Sequence, residues 1–371
     1  MRVAIIGVGS QGFKYAKLIT SDIKDLEIKA MVRINEIRIA YFKDMNINIY
    51  NEVNELLNDI DSNRIQIDSF IITTPHKTHK DIALSALTRG INVLLEKPVS
   101  YILSEALEIN NCYLENKKKY PNLLYGVIYQ NRLLAINTYL KDIIESKRYG
   151  NILNVNIINN GFFRPYSYFS SSKWRGTYKF EGGALLINQA SHSLDLIYYL
   201  FGMPKSLYAI TNTQVHKIEA EDSVSAIFKY DNFNINYTSS LNDPFNTKLF
   251  EITFENAKVS IKDDKIYLYL LDKDYNSYLS EEVNLFIKPN YTIKEINLDK
   301  NDPYKDIFND FACGIVINGL EAMYSLYMIN ALTMSSHDNK SINLSLDSNY
   351  IKKFNESYQE ILTKLIIKEN K

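Results

Sequence analysis

The stretch Leu94-Leu95-Glu96-Lys97-Pro98 sets an opposed charge pair at the mouth of an apolar run, Ile91 to Leu95, that reads as a buried strand. An ammonium held there can stabilise a developing oxyanion or orient a hydroxyl; the plainer reading is an exposed ion pair at a turn. A second set lies far along the chain. Asn188, His192 and Asp195 fall at i, i+4 and i+7, which places all three on one face if the segment is helical. His192 suits proton transfer near neutral pH, since imidazole titrates near ~6.5, although a satisfied core histidine has the same spacing. One His and one Asp with no further carboxylate make a poor ligand set, so no metal is expected.

Gly7-Val8-Gly9-Ser10-Gln11-Gly12 follows an apolar strand and opens a helix near Phe13. That context points to a pyrophosphate at the positive end of the helix, and hence to NAD or NADP as cofactor. The acidic residue expected ~20 positions on, for the ribose hydroxyls, is replaced by Arg33. Arg33 either grips a 2′-phosphate, favouring NADP, or is solvated while Asn35 serves the ribose. In Thr74-Pro75-His76-Lys77-Thr78-His79, Thr78 reads as an N-cap with Asp81 as its partner, leaving the loop at the carboxyl edge of the sheet. His79 is then either a surface residue or close to the cofactor.

Two more stretches carry polar and aromatic groups together. Gln130 and Arg132 follow the strand-like LLYGVI, and Arg164, Tyr168, Trp174 and Arg175 belong to a loop just before the His192 segment. Guanidinium groups bind phosphates and carboxylates in bidentate fashion, and aromatic rings pack on sugar or base faces. The alternative is a surface loop with a local cluster around the only Trp.

These residues need a scaffold. Up to about residue 127, short β-rich runs alternate with helical ones, which predicts βαβ units and a doubly wound parallel sheet. Beyond residue 151, strand follows strand (ILNVNIINNGFF, SLYAITNTQVH, SVSAIFKY, FNINYTSSL, LFEITFE, AKVSIK, KIYLYLL) with DNF, ENA and KDDK at turns, which predicts a large open antiparallel sheet. Helices are expected over 303–317, 319–334 and 347–368. The expected fold class is α/β, with a dinucleotide-binding domain over 1–125, a substrate-binding and oligomerisation domain over 126–346 and a helical extension over 347–371.

Composition excludes several partners. With 42 basic and 43 acidic residues in 371, nothing favours nucleic acid or an anionic membrane. Cys112 and Cys313 lack metal or redox spacing and read as buried free thiols. No apolar run reaches the ~20 residues of a membrane span, and the start lacks signal-peptide features, so a cytoplasmic protein is expected.

In their order and spacing, Gly7 to Gly12, Thr74 to His79 and Glu96-Lys97-Pro98 resemble the glucose–fructose oxidoreductase / inositol dehydrogenase / rhizopine catabolism (Gfo/Idh/MocA) family, from Arg2 to about residue 345. The resemblance implies a Rossmann domain followed by an α/β domain, and a homodimer or homotetramer built on the second sheet. It implies cofactor contacts at Gly7, Gly9, Ser10, Gln11, Gly12, Arg33, Thr74, Pro75, His76, His79, Glu96, Lys97 and Gln130. It makes Lys97 and His192 catalytic, converging on one carbinol, with Arg132, Arg164, Tyr168, Trp174, Arg175 and Asn188 binding substrate. Similar segments carry Asp where this chain has Asn188, which cannot exchange a proton, so Lys97 and His192 must carry that step. GGALLINQ after the RPYSYF and WRGT stretches is similar to a branch acting on nucleotide-linked sugars, including the 3-dehydrogenases of UDP-N-acetylglucosamine and its uronic acid. The implied reaction is hydride transfer between C3 of such a sugar and nicotinamide. A dehydrogenase of inositol or free monosaccharides, and a non-catalytic dinucleotide sensor, are the alternatives.

Overall fold

Strands that are apolar at every position have to be covered on both faces, and the N-terminal sheet obeys this. The structure, a computed structural model, describes residues 1–262 and 265–368. Strands β1 (Arg2–Ile6), β2 (Glu27–Val32), β3 (Asn48–Tyr50), β4 (Ser69–Ile72), β5 (Asn92–Glu96) and β6 (Tyr125–Ile128) form a parallel sheet in the order β3-β2-β1-β4-β5-β6. Val3, Ala4, Ile5 and Ile6 are wholly buried, as are Phe70, Ile71 and Ile72. The crossovers include α1 (Ser10–Asp22), α2 (Glu36–Ile39), α3 (Val53–Asp61), α4 (His79–Leu87) and α5 (Leu103–Lys119). A βαβαβ sheet of this order has its ligand crevice outside the carboxyl ends of the strands.

This unit comprises Met1–Leu133 together with Asn301–Tyr327. The returning helix Pro303–Ala312 has Pro at its first turn and Asp302 capping Tyr304 and Lys305, and it buries Ile307, Phe308 and Phe311 against Tyr15 and Ile19 of α1. It ends five residues before the expected limit.

The second unit comprises Leu134–Lys300 and Met328–Lys371. Its strands are β7 (Ile152–Asn159), β8 (Ser206–Asn212), β9 (Ser223–Lys229), β10 (Asn234–Ser240), β11 (Lys248–Phe254), β12 (Ala257–Lys262), β13 (Lys265–Leu271), β14 (Tyr291–Ile296) and β15 (Ile342–Asn343). They lie in the order β14-β13-β12-β11-β7-β10-β9-β8-β15. Pairing is antiparallel except between β7 and β10, which run parallel, so the sheet is mixed. Val224, Ala226 and Phe228 of β9 are buried while their neighbours Ser225, Ile227 and Lys229 face out, the alternation of a sheet covered on one side. The helix Ser348–Lys368 buries Ile351, Phe354, Tyr358, Ile361 and Leu362. The turn expected at KDDK falls on Asp263 and Asp264, outside the described residues, as do the last three residues of the C-terminal extension.

Cys112 is half-buried and Cys313 exposed, so neither thiol has the fully buried setting expected for it. Among the described residues no helix is long and apolar enough to cross a membrane.

Candidate functional site

In the first unit the site is built around the turn after β1. Gly7 has φ of 91°, and a Cβ there would strike the backbone and methyl of Thr74. At Gly12 a Cβ would lie 2.5 Å from the Thr73 hydroxyl and 2.6 Å from the Gly7 carbonyl, so α1 packs closely against the sheet. Gly9 differs: a Cβ would meet nothing within 4 Å. Gly9 and Ser10 are exposed, Gly9 is the N-cap of the thirteen-residue α1, and the first turn carries no acidic residue. Free space at Gly9 and a helix N-terminus without negative charge fit a dinucleotide's pyrophosphate. Backbone N–H groups of Gly7 and Val8 donate to the Val32 carbonyl, tying the turn to β2. The Arg38 guanidinium donates to the Val8 carbonyl at 2.8 Å from the far side.

Arg33 follows β2 directly, in the left-handed region at φ 57°, and its Nη2 lies 2.5 Å from Oε2 of Glu52. The carboxylate that β2 lacks is thus present in space, delivered by the residue that caps α3. Asn35 is occupied in capping α2 through the Arg38 N–H.

The Thr74–His79 loop departs from its expected cap. Thr78 makes no side-chain bond to the helix; its hydroxyl donates to the Pro75 carbonyl and the Thr74 hydroxyl instead. The turn 76–78 is a short 3-10 segment, and that geometry takes the Thr78 side chain back into the loop. His79 is fully buried, with Nδ1 on the Pro98 carbonyl and Nε2 on the Thr74 carbonyl. It is therefore a brace between this loop and the Lys97-Pro98 turn, not a surface residue. His76 lies edge-on to it with ring centroids 5.6 Å apart. Loss of water around His76, aided by the His79 and Lys97 charges, holds it well below the ordinary histidine value, so it is neutral at physiological pH.

The Glu96-Lys97 pair at the end of β5 divides its tasks. The Glu96 carboxylate accepts from the Tyr15 hydroxyl and from the Lys97 backbone N–H at 2.9 Å, and Gln11 in turn donates to Tyr15 at 2.7 Å. Glu96 thus links β5 to the glycine-rich helix through Tyr15. Burial raises its pKa, against the pull of Tyr15 and Lys97. The Lys97–Pro98 peptide is cis. Arg132 is buried, with Nη1 3.2 Å from Oε2 of Glu321, and Gln130 opens the 3-10 turn that contains it.

In the second unit, Asn188 and His192 do not share one α-helix. Leu185–Gln189 is a π-helical turn, and the α-helix begins at Ser191, so spacing by 3.6 residues fails between them. His192 and Asp195 do share the helix Ser191–Phe201, where Asp195 is buried. Asn188 instead faces the preceding loop: Nδ2 donates to the Tyr168 hydroxyl at 3.2 Å and to Glu181 at 2.6 Å. Arg175 lies over Tyr168 (4.2 Å) and Trp174 (4.6 Å), Arg164 over Tyr168 (5.0 Å), and Arg164 Nη2 donates to Gln189 at 3.0 Å. Arg164, Tyr168, Trp174, Arg175 and Asn188 thus form one cluster.

The residues that hold this cluster were not read from the sequence. His216, buried, bridges Asp222 (3.1 Å) and the Arg164 carbonyl (2.8 Å). Glu221, also buried, accepts from the Ala184 and Leu186 N–H groups across the Gly182-Gly183 turn. Both acids sit in the run EAED before β9, which looks like a solvated charge run. A cleft of about 560 Å³ beside the cluster is lined by Tyr166, Phe169, Lys173, Arg175, His216 and Lys217.

The sequence matches the family description "Oxidoreductase family, NAD-binding Rossmann fold" over residues 1–122 and "GFO/IDH/MocA C-terminal domain" over residues 138–260. An uncharacterized oxidoreductase of Schizosaccharomyces pombe is 30% identical over 211 residues, covering 55% of this chain and 52% of that protein. Glucose-6-phosphate 3-dehydrogenase of Bacillus subtilis is 28% identical over 222 residues, 58% of each chain. The chain spans about half the length of the curated relatives it matches. Among solved structures, the WlbA dehydrogenase from Chromobacterium violaceum, in complex with NADH and UDP-GlcNAcA, superposes with a TM-score of 0.74 at 22% identity, covering 94% of this chain and 96% of that one. At that identity the likeness shows the fold.

Proposed function

We propose, from the premise that the chain belongs to the Gfo/Idh/MocA family of oxidoreductases, that it oxidises or forms a ring carbinol of a sugar, at C3 of a UDP-linked N-acetylhexosamine or its uronic acid. One observation carries the substrate class. Arg175 covers Tyr168 and Trp174, and Tyr168 accepts from Asn188, so cations and flat aromatic faces are built into the same structure as the polar residues of the Asn188–His192 segment. Phosphate oxygens with a base or sugar face match such a surface, whereas a free polyol offers its cations no anionic group.

The chain's residues divide the chemistry as follows. The glycine-rich turn and the N-terminus of α1 hold the pyrophosphate, and Arg33 with Glu52 meets the adenosine ribose. When bound, the oxidised nicotinamide supplies the two-electron acceptor. Lys97 lowers the cost of negative charge developing on the reacting oxygen, and His192 takes that oxygen's proton as the carbinol becomes a ketone. Glu96, engaged with Tyr15 and the Lys97 N–H, holds that turn on the cofactor side. Asn188, a hydrogen-bonding amide with no proton to exchange, orients a sugar hydroxyl.

The test is nicotinamide absorbance on mixing purified protein with NAD or NADP and a panel of UDP-N-acetylglucosamine, its uronic acid, inositol and glucose 6-phosphate. Reduction confined to the UDP-sugars supports the reading. Reduction only by inositol or sugar phosphate moves the substrate class, and tight cofactor binding with no reduction by any member leaves the sensor.

A further inference from the structure

Glu181 is 2% exposed, has no place in the proton transfer described above, and lies in a turn where a solvated carboxylate would be ordinary. Its two oxygens are assigned separately. Oε2 accepts from the Gly176 backbone N–H at 2.6 Å, and Oε1 accepts from Asn188 Nδ2 at 2.6 Å. The Gly176 N–H can only donate, so Oε2 is committed as an acceptor. Asn188 then has both Nδ2 hydrogens spent, one on Glu181 and one on Tyr168, and its Oδ1 faces the other way, where Gln189 Nε2 approaches at 3.4 Å. Which end of the amide is acceptor and which is donor thus depends on Glu181 accepting. A proton on Oε1 would turn that oxygen into a donor and require Asn188 to present Oδ1 to it.

We propose that Glu181 is the positioning residue of this site: its carboxylate fixes the orientation of the Asn188 amide and anchors the loop 172–177, and its protonation reverses the donor and acceptor ends that Asn188 offers a sugar hydroxyl. The proposal rests on the reading of Asn188 as a substrate contact. The charged and titratable groups that face Glu181 are Arg175 of the loop, which favours the carboxylate, and Glu221 before β9, which opposes it; Tyr178 reaches this set by donating to Glu221. Burial outweighs the Gly176 and Asn188 hydrogen bonds and the Arg175 charge and raises Glu181 to about 7, so the switch falls within the physiological range.

The loop carries its own reporter. Trp174 is the only tryptophan, its carbonyl accepts from the Thr177 hydroxyl, and the Thr177 carbonyl accepts from the Glu181, Gly182 and Gly183 N–H groups. Selectively excited tryptophan emission should therefore titrate with a midpoint near 7 in the wild type and lose that step in Glu181→Gln, without any substrate present. With a turned-over sugar, kcat/KM should fall roughly 10- to 100-fold in Glu181→Gln, the scale of a displaced contact, and lose the limb that Glu181 adds near neutrality beside that of His192 as base. Asn188→Leu, which leaves Glu181 in place, should keep the emission step but lose that limb. An emission step absent from the wild type, or retained in Glu181→Gln, overturns the proposal, as does an unchanged limb in Asn188→Leu. Should Glu181→Gln fail to fold, the wild-type and Asn188→Leu results decide. Absence of any sugar oxidation defeats the proposed function, while the emission titration still tests the switch.

Discussion

Arg33 Nη2 and Glu52 Oε2 are 2.5 Å apart, so the end of β2 offers a cofactor a guanidinium already paired with a carboxylate. A ribose hydroxyl can donate to Glu52 without disturbing the pair. A 2′-phosphate has to displace Glu52 from Arg33 and sit beside a like charge. NAD should therefore be preferred to NADP, and Glu52→Gln, which leaves Arg33 in place with a neutral neighbour, should move the ratio of kcat/KM values about tenfold towards NADP. Steady-state kinetics with both cofactors check this; an unmoved ratio removes the pair from cofactor selection.

The glycines of the turn should separate by what their Cβ would meet. Gly12→Ala forces a methyl group between the Thr73 hydroxyl and the Gly7 carbonyl and should cost about 1–3 kcal/mol of stability. Gly9→Ala meets nothing in the protein and should leave stability within about 0.5 kcal/mol while weakening NAD binding at least tenfold. Thermal unfolding beside cofactor titration distinguishes them. Equal destabilisation by both would make Gly9 a structural glycine.

Glu181 also has a consequence for stability. Its pKa stands at about 7 in the folded chain against an ordinary 4.5, so between those values the folded state keeps a proton that the unfolded state releases. The contribution is present in full below pH 4.5 and is lost as pH rises through about 7, a fall on the order of 3 kcal/mol. Glu221, raised for the same reason, adds a slope of the same sign. Denaturant unfolding across this range should show the decline in the wild type and a shallower one in Glu181→Gln. Parallel curves would mean that Glu181 ionises in the folded state as it does in water.

Much of this architecture is legible in the chain because it rests on local rules. Buried parallel strands need unbroken apolar runs, and β1 and β4 supply them; a phosphate-binding turn needs small residues at fixed offsets, and Gly7, Gly9 and Gly12 supply those. Other features depended on competition that spacing does not record. Thr78 had carbonyl and hydroxyl partners behind it that outbid the helix N-terminus. Asn188 and His192 are four apart, but a π-turn between them removes the α-helical register on which that spacing rests. β14 alternates Tyr, Ile and charged residues that are exposed or nearly so throughout, so no buried face marks it in the sequence. Glu52 reaches Arg33 across 19 positions, and Glu181 reaches Asn188 from a turn, both set by tertiary folding.

The central claim is that Lys97 and His192 serve the oxidation of a carbinol and not the binding of the cofactor. Its most direct test is the single-turnover rate of NAD reduction by a UDP-N-acetylhexosamine or its uronic acid in Lys97→Ala and His192→Ala, with NAD affinity measured on the same preparations. A loss of roughly 100-fold or more in each rate, with NAD affinity held within a few-fold, is the predicted result. Near-wild-type reduction in either variant would contradict it.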